Sequence, residues 1–245
     1  MNRLFAVTCI GFLCGTIGTG LGGILTIILG NPTKRFMAVL LGFTSGIMIS
    51  VVCFDLLPEA FNIGGLFISL AGIVLGVGII LIIEQFIPEG TSRKPGEDLD
   101  FIRSGILLGI GIAIHNFPEG LAVGSGFAAS NNLGLGLAAI IGIHDMPEGI
   151  AMAVPLRIGG TNRIRILLYT VLAGIPMGLG AFVGELLGQI SPEFICLCLS
   201  FAGGAMLYIT CGELIPKTHN VYKGRISAIG MIAGILCGII MSNVI

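Results

Sequence analysis

The sequence predicts an all-α membrane bundle: eight apolar spans forming a single transmembrane domain over residues 1–245, with an inverted repeat relating spans one to three and six to eight around central spans four and five. Three observations carry that prediction. Apolar residues make up 55% of the chain and charged residues only 10%, with no Trp and 40 Gly, which excludes an ordinary soluble domain. The few charges gather between apolar runs long enough to cross the hydrocarbon, which takes about 20 residues. Finally, two matching polar stretches, His115-Asn116-Phe117-Pro118-Glu119-Gly120 and His144-Asp145-Met146-Pro147-Glu148-Gly149, lie in the middle of two such runs.

Cutting the chain at its polar and Pro/Gly-rich breaks places the spans at roughly 4–29, 36–57, 64–87, 103–127, 133–156, 164–189, 193–216 and 226–244. The first run is too long for a signal-peptide core and lacks a charged n-region and a small-x-small cleavage site, so it reads as a retained span. Short connections make successive spans antiparallel. One longer charged loop, residues 88–103, joins spans three and four and contains no His.

Lys34 and Arg35, then Arg93, Lys94 and Arg103, then Arg157, Arg163 and Arg165, then Lys217, Lys223 and Arg225 all fall in loops on one side of the membrane; only Arg3 lies opposite. The positive-inside rule therefore predicts a multi-pass protein of the cell membrane with both termini extracytoplasmic and the 88–103 loop cytoplasmic. A net charge of −1 points to no nucleic-acid partner. The seven cysteines all sit in apolar runs without a CxxC pair, which suggests neither a disulfide framework nor a thiolate zinc site.

Spans two and seven match at a constant offset: Phe43, Gly46, Met48, Cys53, Leu56 and Pro58 against Phe201, Gly204, Met206, Cys211, Leu214 and Pro216, with Asp55 against Glu213. The two spans run in opposite directions, so the repeat is inverted. Inverted repeats with Pro-broken spans are a transporter pattern whose site lies near the midplane.

His and Glu at i and i+4 share one helix face, and the intervening Pro leaves the carbonyls of Ile114 and Ile143 without an N–H partner and predicts a bend. His115 and His144 lie at the centres of spans four and five. A carboxylate there costs roughly 2.5–3.5 kcal/mol, so Glu119, Asp145 and Glu148 together cost on the order of 10 kcal/mol. Cross-helix hydrogen bonds of about 1–2 kcal/mol each do not offset that, whereas a divalent cation does. Mixed imidazole and carboxylate ligands suit Zn2+, and also Fe2+, Mn2+ or Co2+.

The two motifs, HNFPEG on the fourth span and HDMPEG on the fifth, resemble the paired metal-binding motifs of the ZIP (Zrt/Irt-like protein) divalent-metal transporters, in their bacterial and archaeal form. The eight spans, outward termini and the loop between spans three and four are similar as well. The resemblance implies that His115, Glu119 and Glu148 form a primary metal site, with His144 able to ligate. It also places Met48 and Asp55 beside that site, and makes Asn116 and Asp145, with the shared glutamates, a second site. It further implies Zn2+ or Cd2+ among the transported ions, no catalytic cofactor, a homodimer and an elevator-like motion. The chain departs from the family at Met177, where Glu is common after the Pro of span six. It departs again at Gly212 and Lys217, where a His and an acid often stand.

With Asp55, Glu119, Asp145 and Glu148 ionised, one dication leaves the site at −2, so a second cation or bound protons complete the balance and metal competes with protons. Asp55 also fits a solvated span end, and Met48 fits core packing as well as soft ligation. Glu59 and Glu185 read as vestibule or rim residues. Glu84 and His219 read either as aids to release or as ordinary interfacial groups. An intramembrane metalloenzyme is the alternative of a different class, but HExxH is absent and no Ser-His or Cys-His pair competes. A proton channel is a weaker one.

Overall fold

The computed structural model describes residues 3–30, 32–85 and 98–244. Among the described residues there are nine α-helices and no strand: α1 (Arg3–Leu29), α2 (Lys34–Ser50), α3 (Leu57–Glu84), α4 (Asp98–Ala129), α5 (Asn131–Ile158), α6 (Arg163–Gly188), α7 (Pro192–Ile209), α8 (Ile215–Val221) and α9 (Ile226–Val244). A π-helical turn, Val51–Leu56, joins α2 to α3, and another, Thr210–Leu214, joins α7 to α8. Each π turn is followed by a proline, Pro58 or Pro216, that has no N–H to return to the preceding turn.

Six helical stretches among the described residues are long and apolar enough to cross a membrane: Arg3–Leu29, Lys34–Ile83, Phe101–Ala129, Asn131–Ile158, Arg163–Gly188 and Pro192–Gly212. Ile226–Ser242 is apolar but shorter. The 50-residue stretch Lys34–Ile83 is broken at Gly65, whose φ of 72° is open to glycine at no steric cost. Most of the 88–103 segment lies outside the described residues, and α4 already begins at Asp98. Apolar patterning marks only the hydrophobic part of that helix, and its first turns, with Asp98, Asp100 and Arg103, read as loop in the sequence. Ser130, Asn162 and Thr33 cap α5, α6 and α2 by accepting from the backbone N–H three residues on.

The helices sort into two groups. In one, α1, α4, α5 and α6 pack chiefly on one another; in the other, α2 packs on α9 and α3 on α7. Close backbone approaches explain both. At Gly15 and Gly174 the backbones of α1 and α6 touch, and an added Cβ on either strikes the other chain. Gly42 and Gly46 do the same for α2 against α9, and Gly76 for α3 against α7, where Gly72 faces the Ser200 side chain. Among the described glycines, every one whose Cβ would strike a neighbouring helix backbone faces its own group.

Between the groups the packing is made instead by larger side chains. Ile47, Val51, Val52 and Leu56 of the second group form one core with Ala122, Val123, Leu137, Ile140 and Ile141 of the first. Gly18 and Gly22 of α1 lie on α5, and Gly105 and Gly109 of α4 lie on Leu156 and Met152 of α5, all inside the first group, while a Cβ on Gly111 would meet nothing within 4 Å.

Candidate metal centre

Helices α4 and α5 lie antiparallel: Gly105 faces Leu156, Gly109 faces Met152 and Gly126 faces Leu137. The same register brings Glu119 opposite His144, whose Nε2 lies 2.9 Å from Glu119 Oε1. Glu148 is one helical turn beyond His144, so Glu119, His144 and Glu148 each place a ligand atom within 4.8 Å of the others. Asp145 Oδ1 is 3.8 Å from the same His144 nitrogen. All four residues are buried, three of them completely.

Such a cluster needs compensation, and hydrogen bonds do not supply it. The second oxygen of Glu119 and both oxygens of Asp145 accept no hydrogen bond among the described residues. A cation held by these oxygens and the imidazole would meet the shortfall. Asn116 donates from Nδ2 to the carbonyl of Ala173 at 2.8 Å, beside the break that Pro176 makes in the α6 ladder. That bond fixes the amide, and its Oδ1, buried without a partner, is an additional acceptor for a cation.

The remaining letters of the motif also have physical roles. α4 and α5 run unbroken through Pro118 and Pro147. Gly120 lets the Met177 carbonyl of α6 close against α4, and Gly149 lets the Thr19 carbonyl of α1 close against α5. Each glycine follows its glutamate, so α6 and α1 press up behind the two carboxylates.

The other predicted residues fall into place unevenly. The backbone of His115 lies one turn before Glu119, and its side chain lies outside the described residues, as do those of Glu84, Glu213 and Lys217. Met48 is fully buried, with the Thr210 hydroxyl 3.6 Å from its sulfur. Asp55 is half-buried and lines a cavity of about 180 Å³ with Asn132, Leu133, Gly136, Leu137, Ile140, Met241 and Ser242. Its Oδ1 accepts from Ser242 at 2.6 Å, and the cavity reaches Ile140, one turn from His144.

Met177 is fully buried, Glu59 half-buried and His219 exposed. Glu185 is completely buried, paired with Arg3 at 2.9 Å and with Gln189 at 2.9 Å. Arg3 also donates to the carbonyl of Phe127. Sequence reasoning missed this clasp because its partners lie about 180 residues apart, although Arg3, the one basic residue at that end, was a signal.

A family model described as ZIP zinc transporter matches residues 90–245, more than half of the chain. The chain belongs to the ZIP family. Among its relatives, a protein of Chlorobium limicola named zinc transporter ZupT is 32% identical over 255 residues, covering 96% of each chain. A protein of the same name from Corynebacterium glutamicum is 33% identical over 241 residues, covering 89% of this chain and 91% of its own. As a ZIP family member with its apolar helices, the chain is a multi-pass membrane protein. The ZIP match takes in both HxxPEG stretches.

Proposed function

We propose that this protein carries divalent transition-metal ions, Zn2+ first and Fe2+, Mn2+, Co2+ or Cd2+ as related cargo, across the cell membrane into the cytoplasm. The observation that carries the reading is the completely buried juxtaposition of Glu119, His144 and Asp145, with Glu148, in a family of metal transporters. The metal ligands are His115, Glu119, His144 and Glu148, with Asn116 and Asp145 extending the set to a second ion. Met48 and Asp55 attend the path from the other helix group.

The two groups supply the means of movement. Glycine contacts lock each internally, while larger apolar side chains meet between them. The ligand-bearing group therefore moves as a body against α2, α3, α7 and α9, exposing its ion first to one side and then to the other. Eight passes follow from dividing Lys34–Ile83 at Gly65 and counting Ile226–Ser242. The inverted repeat is supported by the two π turns, which fall on repeat-matched residues. The distribution of Lys and Arg puts both termini outside and the 88–103 loop in the cytoplasm, within one domain. A homodimer completes the proposal and is tested by cross-linking in membranes.

The deciding experiment is uptake of labelled Zn2+ and of the competing ions into proteoliposomes. The intact protein loads the vesicles without covalent change to any substrate, which separates a carrier from an intramembrane metalloenzyme. Glu119→Ala and Glu148→Ala each abolish uptake; undiminished uptake in both overturns the proposal.

A further inference from the structure

We propose that the junction of α2, α8 and α9 binds the headgroup of an anionic phospholipid. The inference does not rest on the metal-carrier reading, since it concerns the helix group opposite the metal cluster. Gly230 meets the carbonyl of Val39 and Gly234 that of Phe43, so α2 and α9 lie side by side and run in the same direction. They begin at one level, and Lys34 and Arg35 of α2 stand at the height of Lys223 and Arg225, in the turn that leads into α9. All four side chains are exposed. The distribution of Lys and Arg assigns this end to the cytoplasm.

Nothing of opposite charge answers these cations. Helices α2, α8 and α9 contain no Asp or Glu, and no carboxylate among the described residues pairs with any of the four. Arg35 is nevertheless held in place. Its Nε donates to the Tyr222 hydroxyl at 3.1 Å, and its guanidinium carbon lies 5.5 Å from the centre of that ring. Tyr222 is backed in turn by Gly224, where an added Cβ would come within 2.6 Å of the ring. The contact occupies Nε, and the two terminal nitrogens match the two unesterified oxygens of a phosphodiester.

An apolar surface continues from the cations. Ile229 and Ile232 follow Arg225 at helical spacing and are exposed, and Phe36 is exposed beside Arg35. A cationic rim over an apolar face fits a phospholipid, its phosphate at the cations and its acyl chains along the helix. A free phosphate would leave the apolar part uncovered. Other cations at the same end are placed differently. Arg157 donates to the carbonyls of Thr26 and Ile27 at the end of α1, and Arg163 and Arg165 lie on the first turn of α6 in the other helix group.

Native mass spectrometry of the full-length protein, stripped of lipid and titrated with dioleoyl phosphatidylglycerol or dioleoyl phosphatidylcholine, tests this. The intact protein is expected to bind phosphatidylglycerol about ten-fold more tightly, and Arg35→Gln with Arg225→Gln to lose that preference. Arg163→Gln with Arg165→Gln keeps it. Arg35→Lys retains the charge without the planar fork and lowers the preference about three-fold; as the milder change, it reports on the site if the double variant does not fold. Equal binding of the two lipids by the intact protein, a preference that survives Arg35→Gln with Arg225→Gln, or one lost equally with the α6 pair overturns the inference. So does full competition by inorganic phosphate at the concentration of the lipid, which would make the site one for a free anion.

Discussion

The two helix groups bury polar side chains of different kinds. In α1, α4, α5 and α6 the buried set includes Asn116, Glu119, His144, Asp145, Glu148 and Glu185. In the other group, the buried polar side chains among the described residues are all hydroxyls: Thr44, Ser45, Ser50, Ser69, Ser200, Thr210, Thr218 and Ser227. Most of these hydroxyls bond to the carbonyl one turn back, as Ser45 does to Leu41 and Ser200 to Cys196. Such groups are satisfied within one helix and ask nothing of a neighbour. The acids and the imidazole are not, and they hold their helices together only when charge is balanced. The buried acids and imidazole are thus concentrated in one group, and the buried polar side chains of the other are hydroxyls.

The comparison breaks first at the ligands. Glu119→Ala or Glu148→Ala is expected to weaken Zn2+ binding by more than about 100-fold, since even a residue behind a ligand contributes 10- to 100-fold. Isothermal titration on the detergent-solubilised protein measures it. Hydroxyl deletions in the other group, such as Ser45→Ala, should leave that binding within two-fold or so, because a hydroxyl satisfied in its own helix contributes little to a distant site.

Cross-links probe the boundary between the groups. Ser69→Cys pairs a second thiol with Cys196 inside one group, and its oxidation should leave uptake running. Asn132→Cys with Ser242→Cys spans the cavity between the groups, and joining them with a short bifunctional reagent should stop uptake. Arrest by the first and not the second would dissolve the two-body description.

Smaller effects follow in order. Metal affinity should fall about ten-fold or more as pH drops from about 8 to 5.5, because protons compete for the same oxygens and imidazoles; a flat profile contradicts the charge count. Gly149→Val, whose Cβ strikes the Thr19 carbonyl, should cost about 1–3 kcal/mol in thermal unfolding. Ser130→Ala removes the cap that accepts from Leu133 N–H and should cost about 1 kcal/mol.

Much of this was legible in the chain itself. Apolar runs located the six helical stretches long enough to cross a membrane, two predicted spans falling within the single stretch Lys34–Ile83, since the bilayer sets the length of such runs. The i,i+4 spacing of His and Glu brought Glu119, His144 and Glu148 to one region because α4 and α5 are antiparallel neighbours. Other features left no local trace. The π turns at Val51–Leu56 and Thr210–Leu214 carry the same apolar pattern as an α-helix. The clasp of Arg3 on Glu185 arises from how α1 packs on α6.

The most direct test is anomalous diffraction from crystals of the zinc-loaded protein. The account predicts a zinc peak at about 2.0–2.2 Å from ligand atoms of Glu119, His144 and Glu148. Zinc bound at full occupancy elsewhere, with no peak among those three side chains, would contradict it.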